Sequence, residues 1–472
     1  MRDLLFLTHR LPYPPNKGDK IRSWHMLQYL SRHFRVHLGC FIDQPDDWQY
    51  TQQVSALCTS SRFVALQPMH ARWRAAGAAL AQQSMSVHYY RDARLQAWVD
   101  GVLAGASVRL GLAFSGAMAQ YLDRGAACAL TRVIDFVDVD SDKWRQYADS
   151  KPWPLSLLYR REAQALLHYE RHIAQQFTAS CLVSPAEAEL LRQCAPMARR
   201  KVHHVANGVD ASHFSPHQTL VSPYAPGAQV MVFTGAMDYW PNIDAVQWLV
   251  RHAWPALRRQ FPALQLYIVG SRPSPAVRAL TRIAGVVVTG AVDDVRPYLA
   301  GAALAVAPLR IARGVQNKVL EAMAMGKIVL ASPQALEGIA ARPEHELLLA
   351  RDEAEFIHQA ARVLRQPLQA RWDQPMHEPV HAPLHAPLNE PLRAPALCND
   401  LHAIGVRARQ LVLRHHDWQR NLQALGNLFD VAGAAPRPEA SAVANSVANS
   451  VAGAVSSPVA TDIASPLAEP QA

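Results

Sequence analysis

The sequence predicts an α/β protein built from two doubly wound parallel-sheet domains. Three observations carry that expectation. Half of the 472 residues are apolar, enough to bury the cores of two ordinary domains. Short continuous apolar runs alternate with helix-periodic stretches in both halves, as they do when crossover helices cover both faces of a parallel sheet. A polar, proline-containing stretch, HQTLVSPYAPGA (217–228), separates the two series and reads as a linker.

The first series opens with the strand RDLLFLTHR (2–10) and the helix RSWHMLQYLSRH (22–33). Strands VHLGCFI (36–42), RLGLAFS (109–115), RVIDFVDV (132–139), SCLVSP (180–185) and KVHHVAN (201–207) follow. The N-terminus has an apolar core of only LLFL before polar residues intervene, so it reads as a strand rather than a signal peptide. The second series is QVMVFTG (229–235), QLYIVG (265–270), GVVVTG (285–290), ALAVAPL (303–309) and KIVLAS (327–332). The expected layout is a first domain over 1–216, a linker over 217–228 and a second domain over 229–400. Two such domains face each other across a cleft, with strand C-terminal ends towards it.

Three later segments stand outside that plan. Proline recurs every fourth residue from Pro375 to Pro395, which excludes a helix and implies an extended insert over 375–397. His377, His381 and His385 share the period, but an extended chain does not converge three imidazoles on a metal. Residues 401–430 contain a stretch, VRARQLVLRHHDWQRNLQALGNLF, with an apolar face of Leu411, Trp418, Leu422, Leu425 and Leu428. The segment 431–472 is rich in Ala, Ser, Val and Pro and is expected to be a disordered tail.

The formal charge is +9, which fits nucleic acid, an anionic membrane or an anionic small substrate. No RNA-binding signature, zinc-finger spacing or compact Lys/Arg block is present, so nucleic acid is not expected. Six cysteines lie scattered without CxxC pairs, in keeping with a reduced, cytoplasmic protein. No apolar run reaches the ~18–20 residues that span a bilayer. The stretch KPWPLSLLYRREAQALLHYERH (151–172) is basic, aromatic and amphipathic. It fits a core-facing crossover helix or a helix resting on the anionic inner membrane.

Residues 302–332 carry the densest chemistry. A strand runs into a loop with Arg310, Arg313 and Gly314, then into a helix with Asn317, Lys318 and Glu321 near its start. A strand–loop–helix unit points the positive helix end at the crevice beside the sheet, a natural place for phosphate. Lys318 and Glu321 are three apart and share a helix face. A cation there meets a diphosphate while a carboxylate accepts from ribose hydroxyls; the same spacing also fits an i,i+3 surface pair. In the first half, Gly18 lies in the loop PYPPNKGDKIRS, where a backbone can approach a ligand closely and Lys17 and Lys20 favour anions. Asp135, Asp138, Asp140 and Asp142 crowd one strand end. If the strand continues, Asp138 and Asp140 share a face, and crowding raises one pKa as a general base requires. The same acids also fit helix capping with Lys143 and Arg145, or Mg²⁺ binding.

Four segments together resemble a known family. KVLEAMAMGKIVLAS with ALEGI looks like the donor-site signature of family-4 glycosyltransferases, retaining enzymes of the GT-B fold. VANGVDASHFSP (205–216) resembles that family's passage between domains, and FTGAMDYWPNIDAVQWLV (233–250) its first C-terminal strand, loop and helix. THRLPYPPNKGDKIRSWHMLQYL and DFVDVDSDKW look like the sugar transferases of exosortase (PEP-CTERM) exopolysaccharide loci. The resemblance spans roughly residues 1–430.

The resemblance implies a nucleotide-diphosphate sugar as donor, a glycan or polyprenyl-diphosphate-linked acceptor, and no cofactor or metal. It implies a C-terminal helix that crosses back onto the first domain. It places Glu321 at the ribose and Gly290 and Val292, in VTGAVDD (288–294), beside the base. Asp138 and Asp140 fall on the catalytic, acceptor side, and Gly18, also expected to be catalytic, faces the donor phosphate from the first domain. Two departures matter. The family's first carboxylate, eight residues before Glu321, is here Arg313. The Arg and Lys that usually follow the first C-terminal-domain strand are absent from GAMDYWPN (235–242). Arg310, Arg313 and Lys318 are therefore the expected diphosphate clamp. Two rival readings are a sugar-nucleotide 2-epimerase of the same architecture and a non-catalytic nucleotide-sugar-binding protein.

Overall fold

Two all-parallel sheets organise the chain in a computed structural model. It describes residues 1–366 and 401–429, apart from Gln82, Ser150, Lys151 and Arg313. The first sheet contains β1 (Asp3–Thr8), β2 (Arg35–Ile42), β3 (Ser60–Ala65), β4 (Leu110–Phe114), β5 (Thr131–Val137), β6 (Ala179–Leu182) and β7 (Val202–His204). Their order is β3-β2-β1-β4-β5-β6-β7. The second contains β8 (Val230–Thr234), β9 (Gln265–Val269), β10 (Val286–Gly290), β11 (Leu304–Ala307), β12 (Val329–Ala331) and β13 (Leu348–Leu349). Their order is β10-β9-β8-β11-β12-β13. Strand order reverses beside β1 and beside β8, which opens a crevice at the carboxyl ends of β1/β4 and of β8/β11.

The strands read as continuous apolar runs because both sheet faces are covered. In β1, Leu5 and Leu7 enter one core while Leu4 and Phe6 enter the core on the other face. Two strands went unread in the sequence. β3, SSRFVA, is a half-polar edge strand, and β13 has only two residues.

Three expectations need correction. β5 stops at Val137, whose φ is +70°. A β-branched residue rarely adopts that conformation, and it turns the chain out of the sheet. Asp140 therefore opens a helix, Asp140–Asp149, and does not share a strand face with Asp138. Lys20 is 1% exposed and paired with Asp47 at 2.7 Å, so it is no open anion ligand. The stretch 406–429 is not one helix. Leu401–His415 and Trp418–Asn427 are separate, and Asp417 caps the second by accepting from Arg420 N at 2.8 Å.

These two helices bind both halves. Leu401–His415 packs on the helix Asn317–Ala324, with Gly405 against the carbonyl of Gly326. Trp418–Asn427 packs on the helix Gly18–His33, and Trp418 stacks on His25 at 4.6 Å. The chain's two passages between the sheets run side by side, with Val209 N donating to His416 O at 2.8 Å. Both sheets belong to one contact unit, Met1–Ala432. The repeat at 375–397 with its histidines, and the segment 431–472, lie outside the described residues.

Candidate active site

The crevice beside β8 is built from residues 233–242 and from the helix Asn317–Ala324. That helix forms because Val319, Leu320, Ala322 and Met323 bury one face, leaving Lys318 and Glu321 on the other. Lys318 reaches back over the end of β8. Its Nζ lies 4.5 Å from the centroid of Phe233 and donates to Asn242 Oδ1. Gly235, at φ +149°, closes the same spot. A Cβ there would stand 2.8 Å from Asn242 Nδ2 and 3.1 Å from Lys318 Nζ, so only glycine leaves the ammonium its place.

Burial pushes the Lys318 amine down to about 7, with Glu321 opposing the shift. Burial pushes the Glu321 carboxyl up to about 7, with Lys318 opposing that one. A cation and a carboxylate are thus held largely out of water at a helix start, both poised to charge when a complementary group arrives. Sequence reasoning placed both residues here but missed Asn242, whose link to Lys318 bridges 76 positions.

Arg310 is engaged elsewhere. Its guanidinium forks onto Asp244, with Nε at 2.9 Å from Oδ2, and its side chain is 56% exposed. Arg313 lies outside the described residues. Gly290 ends β10 at φ +75° and accepts from Gly270 N at 3.2 Å. Val292 is half-buried against the second domain's core.

From the first domain, Gly18 faces this helix start: a Cβ on it would lie 3.9 Å from Asn317 Nδ2. Asp138 meets the second domain at Gly314, where a Cβ would stand 3.0 Å from Asp138 Oδ1. The other three acids of the 135–142 cluster take different partners. Asp135 pairs with Arg22 at 2.7 Å in full burial. Asp140 pairs with Lys143 at 3.6 Å in the half-exposed range, and Asp142 receives Arg145 Nε at 2.9 Å. Among the described residues, no group of three or more His, Cys, Asp or Glu converges as a metal site would require.

Two further carboxyls beside the 135–142 cluster went unnoticed in the sequence. Glu187 takes Val139 N at 2.7 Å, and burial pushes it up to about 7, with the backbone bond opposing and Asp138 adding to the rise. Glu170 takes Ser141 N at 3.0 Å and is pushed up to about 8 by burial. Both fix the loop after β5. The SPAE run at 184–187 has the spacing of a capping box; Ser184 does cap its helix, while Glu187 reaches across to the loop.

Comparison with solved structures decides the architecture. Sucrose-phosphate synthase from Thermosynechococcus elongatus superposes with a TM-score of 0.62 at 16% identity, covering 91% of this chain and 98% of that one. HepE from Anabaena, in complex with UDP and glucose, gives 0.58 at 13% identity over 91% and 100%. The fold is GT-B. A glycosyltransferase from Rickettsia africae adds a third structure of similar fold, at 0.56 and 12% identity over 92% and 100%. Residues 228–366 match the family model described as glycosyl transferases group 1. That segment contains Asn242, Lys318 and Glu321, and the match supports a glycosyltransferase of the GT-B type. No curated protein matches the chain in sequence.

Proposed function

We propose that the protein is a retaining glycosyltransferase of the family-4 kind. It moves a sugar from a nucleotide-diphosphate sugar to a glycan or polyprenyl-diphosphate-linked acceptor in exopolysaccharide assembly, from the cytoplasmic side. The observation that carries the reading is Lys318. GAMDYWPN brings no cation of its own to the end of β8, and the lysine of the helix that follows β11, the strand beside β8, reaches that spot instead. HepE, of the same fold, is described in complex with UDP-glucose, in support of a nucleotide-sugar donor. The exopolysaccharide role rests on the N-terminal resemblance alone.

In this reading the C1–O bond to the leaving diphosphate breaks while the acceptor oxygen bonds to C1 from the same face, so the donor's configuration is kept. Lys318 meets the charge that grows on the leaving phosphate, and Glu321 accepts from the ribose hydroxyls. The acceptor's proton passes to a base on the first-domain side, where Asp138 faces Gly314. The donor assay needs no added metal, because the phosphate charge is met by protein donors.

Glu321→Gln separates this site from a surface pair. The substitution keeps size and loses the charged acceptor, so the donor KM is expected to rise about tenfold or more with Tm unchanged or raised. Unchanged kinetics would remove Glu321 from the ribose. Incubation with nucleotide sugars alone addresses the epimerase, which converts them without acceptor. Tight donor binding without turnover on membrane extracts would favour a non-catalytic binder.

A peripheral membrane contact has its own observation. Trp153 is 80% exposed and Leu157 63% exposed at the start of the helix Leu155–Gln176. Glu162 and Glu170 of that helix point inward, 0% and 2% exposed, while Arg160 stays outside. Among the described residues no helix is long and apolar enough to cross a membrane. Trp153→Ser with Leu157→Ser is expected to cut co-sedimentation with phosphatidylglycerol vesicles several-fold and leave turnover of a water-soluble acceptor unchanged.

A further inference from the structure

We propose that Asn317 is a further ligand of the donor diphosphate, turned to that task by Asp135, Arg22 and Asn207. The role rests on the donor-site reading above. It follows from a chain of hydrogen bonds in which one member can play only one part. The Arg22 guanidinium has donors and no acceptor. It is 1% exposed and gives two bonds to Asp135 Oδ2, from Nε at 3.1 Å and from NH2 at 2.7 Å. Its remaining terminal nitrogen reaches the Asn207 carboxamide at 2.8 Å. The Asn207 atom that meets it must therefore be Oδ1.

That choice fixes the next one. Asn207 turns its Nδ2 towards Asn317, at 3.3 Å, and the atom it meets must be Asn317 Oδ1. Asn317 is left with its own Nδ2 on the side of Gly18, where the two domains face each other beside Lys318. An amide in this orientation offers N–H groups to phosphate oxygens, which only accept. The opposite orientation would aim a carbonyl oxygen at them.

Asn207 is itself held from behind. Its backbone carbonyl accepts from His416 Nδ1 at 3.2 Å and from Asn421 Nδ2 at 3.1 Å. Burial keeps the His416 imidazole below its ordinary pKa, so the ring is neutral and Nδ1 carries the hydrogen. The side chain of Asn207 is thus anchored from the first domain and its backbone from the helices that join the halves. Asn207 is 6% exposed and acts through its bond to Asn317, so it is a positioning residue.

The experiment titrates the full chain with UDP, GDP and ADP by calorimetry and follows Tm in parallel. Asn317→Ala is expected to weaken the nucleoside diphosphate that the wild type binds by about tenfold. Asn317→Asp keeps an oxygen for Asn207 Nδ2 but turns a carboxylate to the phosphate, so its loss should be larger at unchanged Tm. Asn207→Asp keeps an acceptor for Arg22 and removes the N–H that holds Asn317; its loss should match that of Asn317→Ala. The double variant Asn207→Asp with Asn317→Ala should be no weaker than either single. Wild-type affinity in both Asn317 variants overturns the ligand role while leaving the donor-site reading intact. Losses that multiply in the double variant overturn the orienting role of Asn207. Absence of wild-type binding to all three nucleotides removes the donor-site reading, and this inference with it.

Discussion

Lys318→Met is expected to lower kcat/KM for the nucleotide sugar by one to two decades. A charge-assisted hydrogen bond to phosphate contributes roughly 1.5–3 kcal/mol, and the loss appears directly in transition-state stabilisation. Methionine keeps an apolar stem over Phe233, so Tm should hold and the effect be read as chemistry. The sign with pH follows from the amine's position. Its pKa in the empty site is lowered to about 7, whereas bound phosphate favours the charged form. Donor affinity should therefore fall as pH rises through about 7, because the empty site must take up a proton to bind. On the acid side the Glu321 carboxyl, raised to about 7, gains a proton and loses its pull on the ribose. The pair titrates as one unit, giving a bell centred near neutrality. Lys318→Arg should remove the alkaline limb, since the guanidinium keeps its charge. A profile flat from pH 6 to 9 in the wild type would take this pair out of donor binding.

Arg310→Ala should do much less. Its guanidinium is already forked onto Asp244 and is 56% exposed. Exposed pairs of that kind contribute about 0–1 kcal/mol, so under tenfold is expected in kcat/KM. Arg310 and Lys318 stand side by side in the expected clamp, and the structure separates them.

What was legible in the chain was local. The strand series, the crevice beside β8 and the helix at 317–324 each follow from a contiguous apolar or helical pattern. Lys318 and Glu321 stood in one motif and could be read together. What escaped was set by partners far along the chain. Asn242 finds Lys318, Asp47 takes Lys20 out of the cleft, and Arg22 joins Asp135 to Asn207 across 113 and 185 positions. Backbone conformation hid the rest. A valine at positive φ ends β5, so the two-residue spacing of Asp138 and Asp140 was read with the wrong period. The break before Trp418 was visible in principle, because Asp417 is a good N-cap, but the leucine periodicity on either side ran through it.

Asp138→Asn is expected to lower kcat by about a hundredfold or more at unchanged Tm, whereas Asp140→Asn should cost less than tenfold. The sequence treated the two acids as equals. In the structure Asp140 lies in a half-exposed pair with Lys143, and Asp138 comes forward on the strained turn of Val137 to meet Gly314 of the second domain. A carboxylate in that place is within the range of effects, 10²–10⁴-fold, that a positioned base supplies. Magnesium is the competing account of the same residues, since carboxylates at a strand end also hold a hard cation. The neighbouring acids argue against it, because Asp135 and Asp142 are each bound to an arginine. Turnover should therefore persist in EDTA, with the product keeping the donor's anomeric configuration. Loss of turnover in chelator, restored by Mg²⁺ or Mn²⁺, would make Asp138 a metal ligand and undo the protein-only clamp built on Lys318. Full activity in chelator, with the hundredfold loss confined to Asp138→Asn, would leave Asp138 as the acceptor-side carboxylate. A loss of the same size in Asp140→Asn would instead mean that the helix Asp140–Asp149 moves towards the cleft when substrate binds.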